Sequence, residues 1–174
     1  MVCTRIVLLP AAALALALPV GAAEHAHQHG VVSLSATLEG ELLTLDLDAP
    51  LDSLLGFERA PRTAAEREAA AALLQKMNAG QSMWRPSDEA RCTLTATRVD
   101  APALQQPAKA TGEHADLEAT YEFRCAQPAQ LSGIVHGLFA AFPRLQRIDW
   151  QFALPSGQGK RSITRDQALL PLKR

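Results

Sequence analysis

The fold follows from one stretch of sequence, Val31-Val-Ser-Leu-Ser-Ala-Thr-Leu-Glu-Gly40-Glu-Leu-Leu-Thr-Leu-Asp-Leu-Asp48. Apolar and polar residues alternate from Val32 to Leu38 and again from Leu43 to Leu47, which is typical of two half-buried strands. Glu39-Gly40 between them predicts a tight turn. We therefore expect an antiparallel hairpin, which begins the fold and buries one face.

The same alternation surrounds two cysteines farther along the chain. If Cys92 faces Cys125 in an antiparallel pair, Leu94 falls opposite Phe123 and Ala96 opposite Tyr121, all on one face. This register favours a Cys92–Cys125 disulfide, which stabilises the fold by about 3–4 kcal/mol in the chain-entropy treatment. A thiol nucleophile and a metal-binding cysteine pair are the alternatives.

The segments between and after these hairpins predict two helices and a third hairpin. Thr63 and Glu66 form a capping box that opens a helix ending at Asn78-Ala79-Gly80. An apolar stripe from Leu131 to Phe142 predicts a second helix, with His136 off the stripe and exposed to solvent. Residues 148–154 alternate as a strand, 155–159 form a turn, and 160–164 return as its partner.

This order predicts an α+β fold, ββαββαββ. We expect about six strands in an antiparallel sheet and two helices packed on one face. Leu34-Ser-Ala-Thr-Leu-Glu39 resembles Leu117-Glu-Ala-Thr-Tyr-Glu122, which suggests an internal ββα duplication.

The first 23 residues have the layout of a secretory signal peptide. A basic residue, Arg5, precedes an apolar run too short to span a membrane, and Gly21-Ala22-Ala23 offers small residues at the cleavage site. Residues 24–174 then form a single domain, with no further apolar run that could cross a bilayer. The chain has 17 basic and 18 acidic side chains, a balance that argues against nucleic-acid binding.

Three alternating histidines, His25, His27 and His29, lie on the arm formed by residues 24–30. In an extended chain they project to one side about 7 Å apart, so neighbouring imidazoles can chelate one ion after a slight bend. If Leu38 pairs with Glu41, His29 falls beside Asp48 on the outward face. The pattern favours a divalent-metal site over a solvated polar tail.

The loop 100–116 between the two cysteine strands is rich in proline and polar residues, and we expect it to be flexible. It ends in Glu113-His114-Ala-Asp116. His114 and Asp116 are the best source of further metal ligands, although His114 alone could be an ordinary loop histidine.

Motifs for catalysis are missing from the sequence. It contains no Gly-x-Ser-x-Gly, no phosphate-binding loop and no His-Glu-x-x-His. We therefore expect a protein that is not an enzyme.

The chain resembles the ZrgA-like periplasmic zinc-binding proteins of Gram-negative bacteria, a family linked to zinc acquisition. The resemblance covers most of the mature chain. The matching motifs are His27-Gln-His29-Gly30, Asp48-Ala-Pro50, Leu55-Gly-Phe-Glu58 followed by Ala60-Pro61, the spaced Cys92 and Cys125, and Phe139-Ala-Ala-Phe-Pro143.

The resemblance implies a periplasmic protein that captures or buffers Zn²⁺ and contributes to zinc acquisition, with a zinc import system as its partner. The family binds zinc through the N-terminal histidines and a His/Asp-rich insertion between the cysteine strands. Here that insertion is reduced to Glu113-His114-Ala-Asp116, and Arg59 stands where the family usually has a histidine. Fewer bound ions are therefore expected than for His-rich members.

Two alternatives remain open at this point. Cleavage after Ala22 would leave Ala23-Glu24-His25 at the mature end, and a histidine in third position favours square-planar Cu²⁺ or Ni²⁺. The other alternative is a cell-envelope scaffold that binds no metal and docks a partner through its sheet or a helix.

Overall fold

The fold was obtained as a computed structural model, which describes residues 28–105 and 115–173; these contain nine strands and four α-helices. The strands are β1 (Val31–Glu39), β2 (Leu42–Pro50), β3 (Trp84–Pro86), β4 (Cys92–Asp100), β5 (Asp116–Cys125), β6 (Gly133–His136), β7 (Arg147–Leu154), β8 (Gly157–Thr164) and β9 (Leu169–Pro171). The helices are α1 (Leu51–Leu55), α2 (Ala64–Asn78), α3 (Pro102–Gln105) and α4 (Leu138–Ala141). The predicted signal peptide, residues 1–23, lies outside the described residues.

Two sheets form the framework of this α+β fold. The larger has six strands in the order β4-β5-β2-β1-β7-β8, and the smaller has three in the order β3-β6-β9. Within the larger sheet β1 and β7 run parallel, so the expected purely antiparallel sheet is wrong at this pair. Local hairpin signals set the direction of sequence neighbours only, whereas β1 and β7 are joined by a long connection that permits either direction.

The first hairpin is confirmed, but its register differs from the expected one. Leu38 pairs with Leu43 rather than with Glu41, and the turn consists of Gly40 and Glu41 rather than Glu39-Gly40. Gly40 has φ +60° and occupies the first central turn position, where a type II′ turn favours glycine. The shift is two residues, so the same side chains face the core.

The cysteine strands pair as expected at their start. Cys92 and Cys125 form a disulfide, and Leu94 lies opposite Phe123. The expected pairing of Ala96 with Tyr121 is wrong, because a bulge between Leu94 and Ala96 places Thr97 opposite Tyr121. A bulge inserts one extra residue into one strand, which alternation alone does not reveal.

One face of the large sheet is covered by α2 and the small sheet. Helix α2 begins and ends as predicted, and both hydrogen bonds of the Thr63–Glu66 capping box are present. The predicted second helix, Leu131–Phe142, is wrong, since this segment forms strand β6 and the four-residue α4. A Cβ on Gly133 would lie 2.8 Å from the Leu169 side chain and 3.2 Å from the Leu170 carbonyl oxygen, so the absence of a side chain here eases the close pairing of β6 with β9.

The core lies between these layers and is formed by alternate residues of the central strands. Those from the large sheet include Leu34, Leu45, Tyr121, Ile148 and Trp150. The opposite face of the sheet carries polar side chains such as Asp46 and Asp48. None of the helices in the described ranges is long and apolar enough to cross a membrane. The two similar segments, 34–39 and 117–122, fall on β1 and β5, which flank β2, and their duplication stays a prediction.

His136 is buried on β6, with 6 % of its surface exposed, so its expected place on an exposed helix face is wrong. Its Nε2 lies 3.1 Å from the Gln167 carbonyl oxygen, and its Nδ1 accepts from the Leu138 N–H at 3.3 Å. Both contacts are satisfied by a neutral imidazole protonated on Nε2. Burial lowers the pKa of His136, which keeps the ring neutral.

We predict that acid weakens the fold through His136. Since its pKa is lower in the folded than in the unfolded chain, unfolding takes up a proton, and stability falls as pH drops below about 6.5. Urea unfolding of the metal-free protein at pH 7.5 and 5.5 measures this. His136→Gln should reduce the difference between the two pH values, and an unchanged difference would contradict the assignment.

Candidate metal centre

The backbone next to His29 is fixed by two neighbouring segments. The Gly30 N–H donates to the buried Ser53 Oγ at 3.0 Å. The Gly30 carbonyl accepts from the N–H groups of Gln146 and Arg147 at 2.7 and 3.0 Å. Gly30 has φ +76°, which glycine adopts at little cost. These bonds hold His29 at the end of the large sheet, directly before β1.

The imidazole of His29 lies between two carboxylates. Its Nδ1 is 3.6 Å from Asp52 Oδ2, and its Nε2 is 3.3 Å from Glu58 Oε1. The His29 side chain is 67 % exposed, whereas those of Asp52 and Glu58 are 13 % and 17 % exposed. The His29 imidazole is therefore exposed to solvent, whereas the two carboxylates beside it are mostly shielded from solvent.

Asp52 reaches His29 from α1, which follows β2 directly. The pairing of β1 with β2 ends at Ser33 and Asp48, and Asp52 is the second residue of α1. The expected position of His29 beside Asp48 followed from the predicted register. Asp48 is exposed on the open face of the sheet, and its role as a ligand stays a prediction.

Arg144 holds Asp52 from the other side. Its Nη2 lies 3.2 and 3.4 Å from the two carboxylate oxygens of Asp52, and its Nε donates to the Asp52 carbonyl at 3.0 Å. The guanidinium passes close to Gly56, where a Cβ would lie 3.1 Å from the Arg144 Nε. Gly56 also has φ +86°, so glycine is required here by both the backbone and the contact.

Arg59 fixes the loop that carries Glu58. Its guanidinium donates to both carboxylate oxygens of Glu66 at 2.9 and 2.8 Å and lies over the Phe57 ring. The hydrogen bonds from Arg59, followed by that from the Arg62 N–H, lower the pKa of Glu66 to about 2. Glu66 therefore stays ionised at any pH well above 2, and its ion pair with Arg59 ties the Glu58 loop to the first turn of α2.

Asp116, another predicted ligand, lies at the same end of the sheet as His29. It is the first residue of β5 and pairs with Pro50, and the Ala115 carbonyl accepts from the Leu51 N–H at 2.9 Å. Ala115, which follows the undescribed segment 106–114, therefore lies at the start of α1. His25, His27 and His114 lie outside the described residues.

This combination of donors suits a cation of borderline hardness. Imidazole nitrogen and carboxylate oxygen are the common non-sulfur ligands of Zn²⁺. Within residues 28–105 and 115–173, no three His, Cys, Asp or Glu side chains are arranged to hold one ion. A complete coordination shell thus requires donors from residues 24–27 or 106–114, or water.

Asp52, Glu58 and Arg144 were not predicted as site residues. A glycine-first turn would have given the correct hairpin register, but Asp52 lies beyond β2 in α1 and outside that pairing. Glu58 and Arg144 reach the site through α1 and the loop after α4, and no local sequence signal indicates that approach.

Residues 26–172 match the model of a protein family described as ZrgA family zinc uptake protein. The matched range contains His27, His29, both site carboxylates and the disulfide, and it begins one residue after His25. No curated protein matches the chain.

We predict that Gly56→Ala destabilises the protein more than Gly40→Ala. Both residues have positive φ, so alanine costs about 1–2 kcal/mol of backbone strain at either position. A methyl group at Gly40 meets nothing within 4 Å, whereas at Gly56 it displaces Arg144 from Asp52. Urea unfolding of the two variants measures the difference, and equal losses would show that the Arg144 contact contributes nothing.

Proposed function

The chain belongs to the ZrgA family of zinc uptake proteins, and from this premise we propose that it captures Zn²⁺ in the periplasm and buffers the ion or passes it on for import. The proposed ligands are the imidazoles of His25, His27, His29 and His114, with Asp48 or Asp116 as further oxygen donors. The family takes part in zinc uptake and is not a family of enzymes, in keeping with a binding role.

The observation that carries this proposal is the placement of His29. Its imidazole is exposed, its backbone is fixed, and its two nitrogens face sheltered carboxylates at 3.3 and 3.6 Å. Carboxylates beside a nitrogen donor favour binding of a divalent cation, although Arg144 already offsets the charge of Asp52. Exposure of the imidazole leaves the ion accessible to a receiving protein.

Chain length supports a contribution from the undescribed histidines. His27 is two residues from His29, so their Cα atoms are separated by at most about 7 Å. His114 adjoins Ala115, whose carbonyl is bonded to the backbone next to Asp52. Each of these histidines is thus one or two residues along the chain from a described residue at this end of the sheet, so binding one ion would close only short loops.

Export is supported by two features. Residues 1–23 have the pattern of a cleaved signal peptide. The two cysteines of the mature chain are joined in a disulfide, which is common in the bacterial periplasm and rare in the cytosol.

We predict that zinc binding weakens as the pH falls. A histidine ligand must lose its proton to bind, and a free imidazole is mostly protonated at pH 5.5, which costs about tenfold in affinity for each imidazole ligand. Isothermal titration calorimetry of the mature protein with Zn²⁺ at pH 7.4 and 5.5 measures the change. Equal affinity at the two pH values would refute imidazole ligation.

The triple variant His25→Ala, His27→Ala, His29→Ala tests the ligand set in the same assay. It should lose most of the zinc affinity, whereas Gln28→Ala, which removes a polar side chain from the same segment, should not. Unchanged growth of cells that carry the triple variant under zinc chelation would favour the scaffold function instead.

A further inference from the structure

The loop between α4 and β7, residues 142–146, contacts the candidate site at two points. The Arg144 side chain donates to the carbonyl of Asp52 at 3.0 Å and to its carboxylate oxygens at 3.2 and 3.4 Å. Two N–H groups, at the end of the loop and at the start of β7, donate to the Gly30 carbonyl at 2.7 and 3.0 Å. The backbone beside His29 and one of the carboxylates near its ring therefore depend on where this loop lies.

The sequence of this segment leaves main-chain carbonyls without a backbone donor. In an α-helix each carbonyl accepts from the N–H four residues farther on, and for Phe139 of α4 that residue is Pro143, which has no N–H. The chain then turns, and the Leu145 N–H donates to the Phe142 carbonyl at 3.1 Å. The carbonyls that remain require a side-chain donor or water.

Arg165, in the turn between β8 and β9, supplies such donors. Its Nη2 donates to the Phe139 carbonyl at 3.0 Å. Its Nη1 donates to the carbonyls of Phe142 and Pro143 at 3.3 and 3.2 Å, and also to that of Leu145. The guanidinium carbon lies 5.6 Å from the centre of the Phe139 ring. A guanidinium carries five N–H donors in one rigid plane, so a single arginine can hold several carbonyls in a fixed arrangement.

We propose that Arg165 is a positioning residue for the zinc site. It fixes the loop 142–146, and the loop in turn fixes the Asp52 carboxylate and the backbone beside His29. The hydrogen bonds of the Arg165 side chain go to main-chain carbonyls of α4 and of this loop, so Arg165 acts through the loop and not by contact with the ion. The inference rests on the proposed zinc-binding function, because the site that Arg165 positions is the one proposed to bind zinc.

Native-state hydrogen exchange, followed by NMR on the metal-free mature protein, tests the positioning. Arg165→Gln removes the guanidinium, and Arg165→Lys keeps the charge but carries its three donors on a single nitrogen. Arg161→Gln is the matched control, because Arg161 is also exposed and its Nη2 donates to one carbonyl, that of Lys173, at 3.0 Å. The exchange rates of the Gly30 and Gln146 N–H groups are compared with those of the N–H groups that pair β2 with β5.

We expect both Arg165 variants to raise the exchange rates of Gly30 and Gln146 about tenfold relative to the β2–β5 groups, because the loop opens more often once its carbonyls lose their charged donor. Arg161→Gln should leave this ratio as it is in the wild type. A residue that contributed only to global stability would change all the rates by the same factor, and that result would overturn the proposal. A wild-type ratio in Arg165→Lys would also overturn it, since the charge alone would then suffice.

The Zn²⁺ affinity of the same variants, measured by competition with a chromophoric chelator, tests the consequence for the site. Arg165→Gln should bind about tenfold more weakly than Arg161→Gln, because loss of a group that orients a metal ligand typically costs 10–100-fold. Equal affinity would overturn the assignment of Arg165 to the site. If the wild type binds no Zn²⁺, the proposed function fails, whereas the exchange rates still decide whether Arg165 fixes the loop.

A measurement on the wild-type protein covers the case in which the variants fail to fold. In ¹⁵N-edited spectra the Nη–H protons of Arg165 should give separate signals, because bonds to four carbonyls slow the rotation of its guanidinium. The corresponding signals of Arg161, which has one such bond, should be averaged. Averaged signals for Arg165 would overturn the proposal.

Discussion

The pairing of β1 with β2 in a single register is the constraint on which the rest of the molecule depends. Alternate apolar residues of both strands are buried in the core, so a slip by one residue would expose that whole set. A slip by two residues would keep the same face inward. Gly40 favours the observed register, because its φ of +60° fits the first central position of a type II′ turn. The turn thus helps to select one register for the two central strands of the large sheet.

The described residues of the candidate site are held in place by hydrogen bonds, and the remaining predicted histidine ligands belong to the undescribed segments 24–27 and 106–114. Ser53, Arg144 and Arg59 hold the backbone of His29, the carboxylate of Asp52 and the loop of Glu58. Arg59 forms an ion pair with Glu66 and, as a cation, is unsuited to ligating a metal ion. It supports the loop that carries Glu58 instead. The undescribed segment 106–114 contains one histidine, His114, so it can add only one imidazole to the proposed site.

Local sequence patterns correctly predicted the elements that depend on interactions between residues close together in the chain or on strand alternation. The capping box of α2, the two hairpins that carry β1–β2 and β7–β8, and the disulfide all follow from residues near one another in the chain or from alternation. The parallel pairing of β1 with β7 does not, because more than one hundred residues separate the two strands. Residues 131–142 show helical spacing, yet pairing of β6 with β3 and β9 overrides it.

The sequence predicted His29 as a site residue but not the two carboxylates beside it, and the metal site stays a prediction. Alternating histidines indicated a metal, while Glu58 and Asp52 join His29 through tertiary contacts that have no sequence pattern. The most direct test of the account is the anomalous diffraction of zinc-loaded crystals of the mature protein, recorded at the zinc edge. The account predicts a peak about 2.1 Å from a nitrogen of the His29 imidazole. A peak elsewhere, with His29 still contacting Asp52 and Glu58 directly, would contradict it.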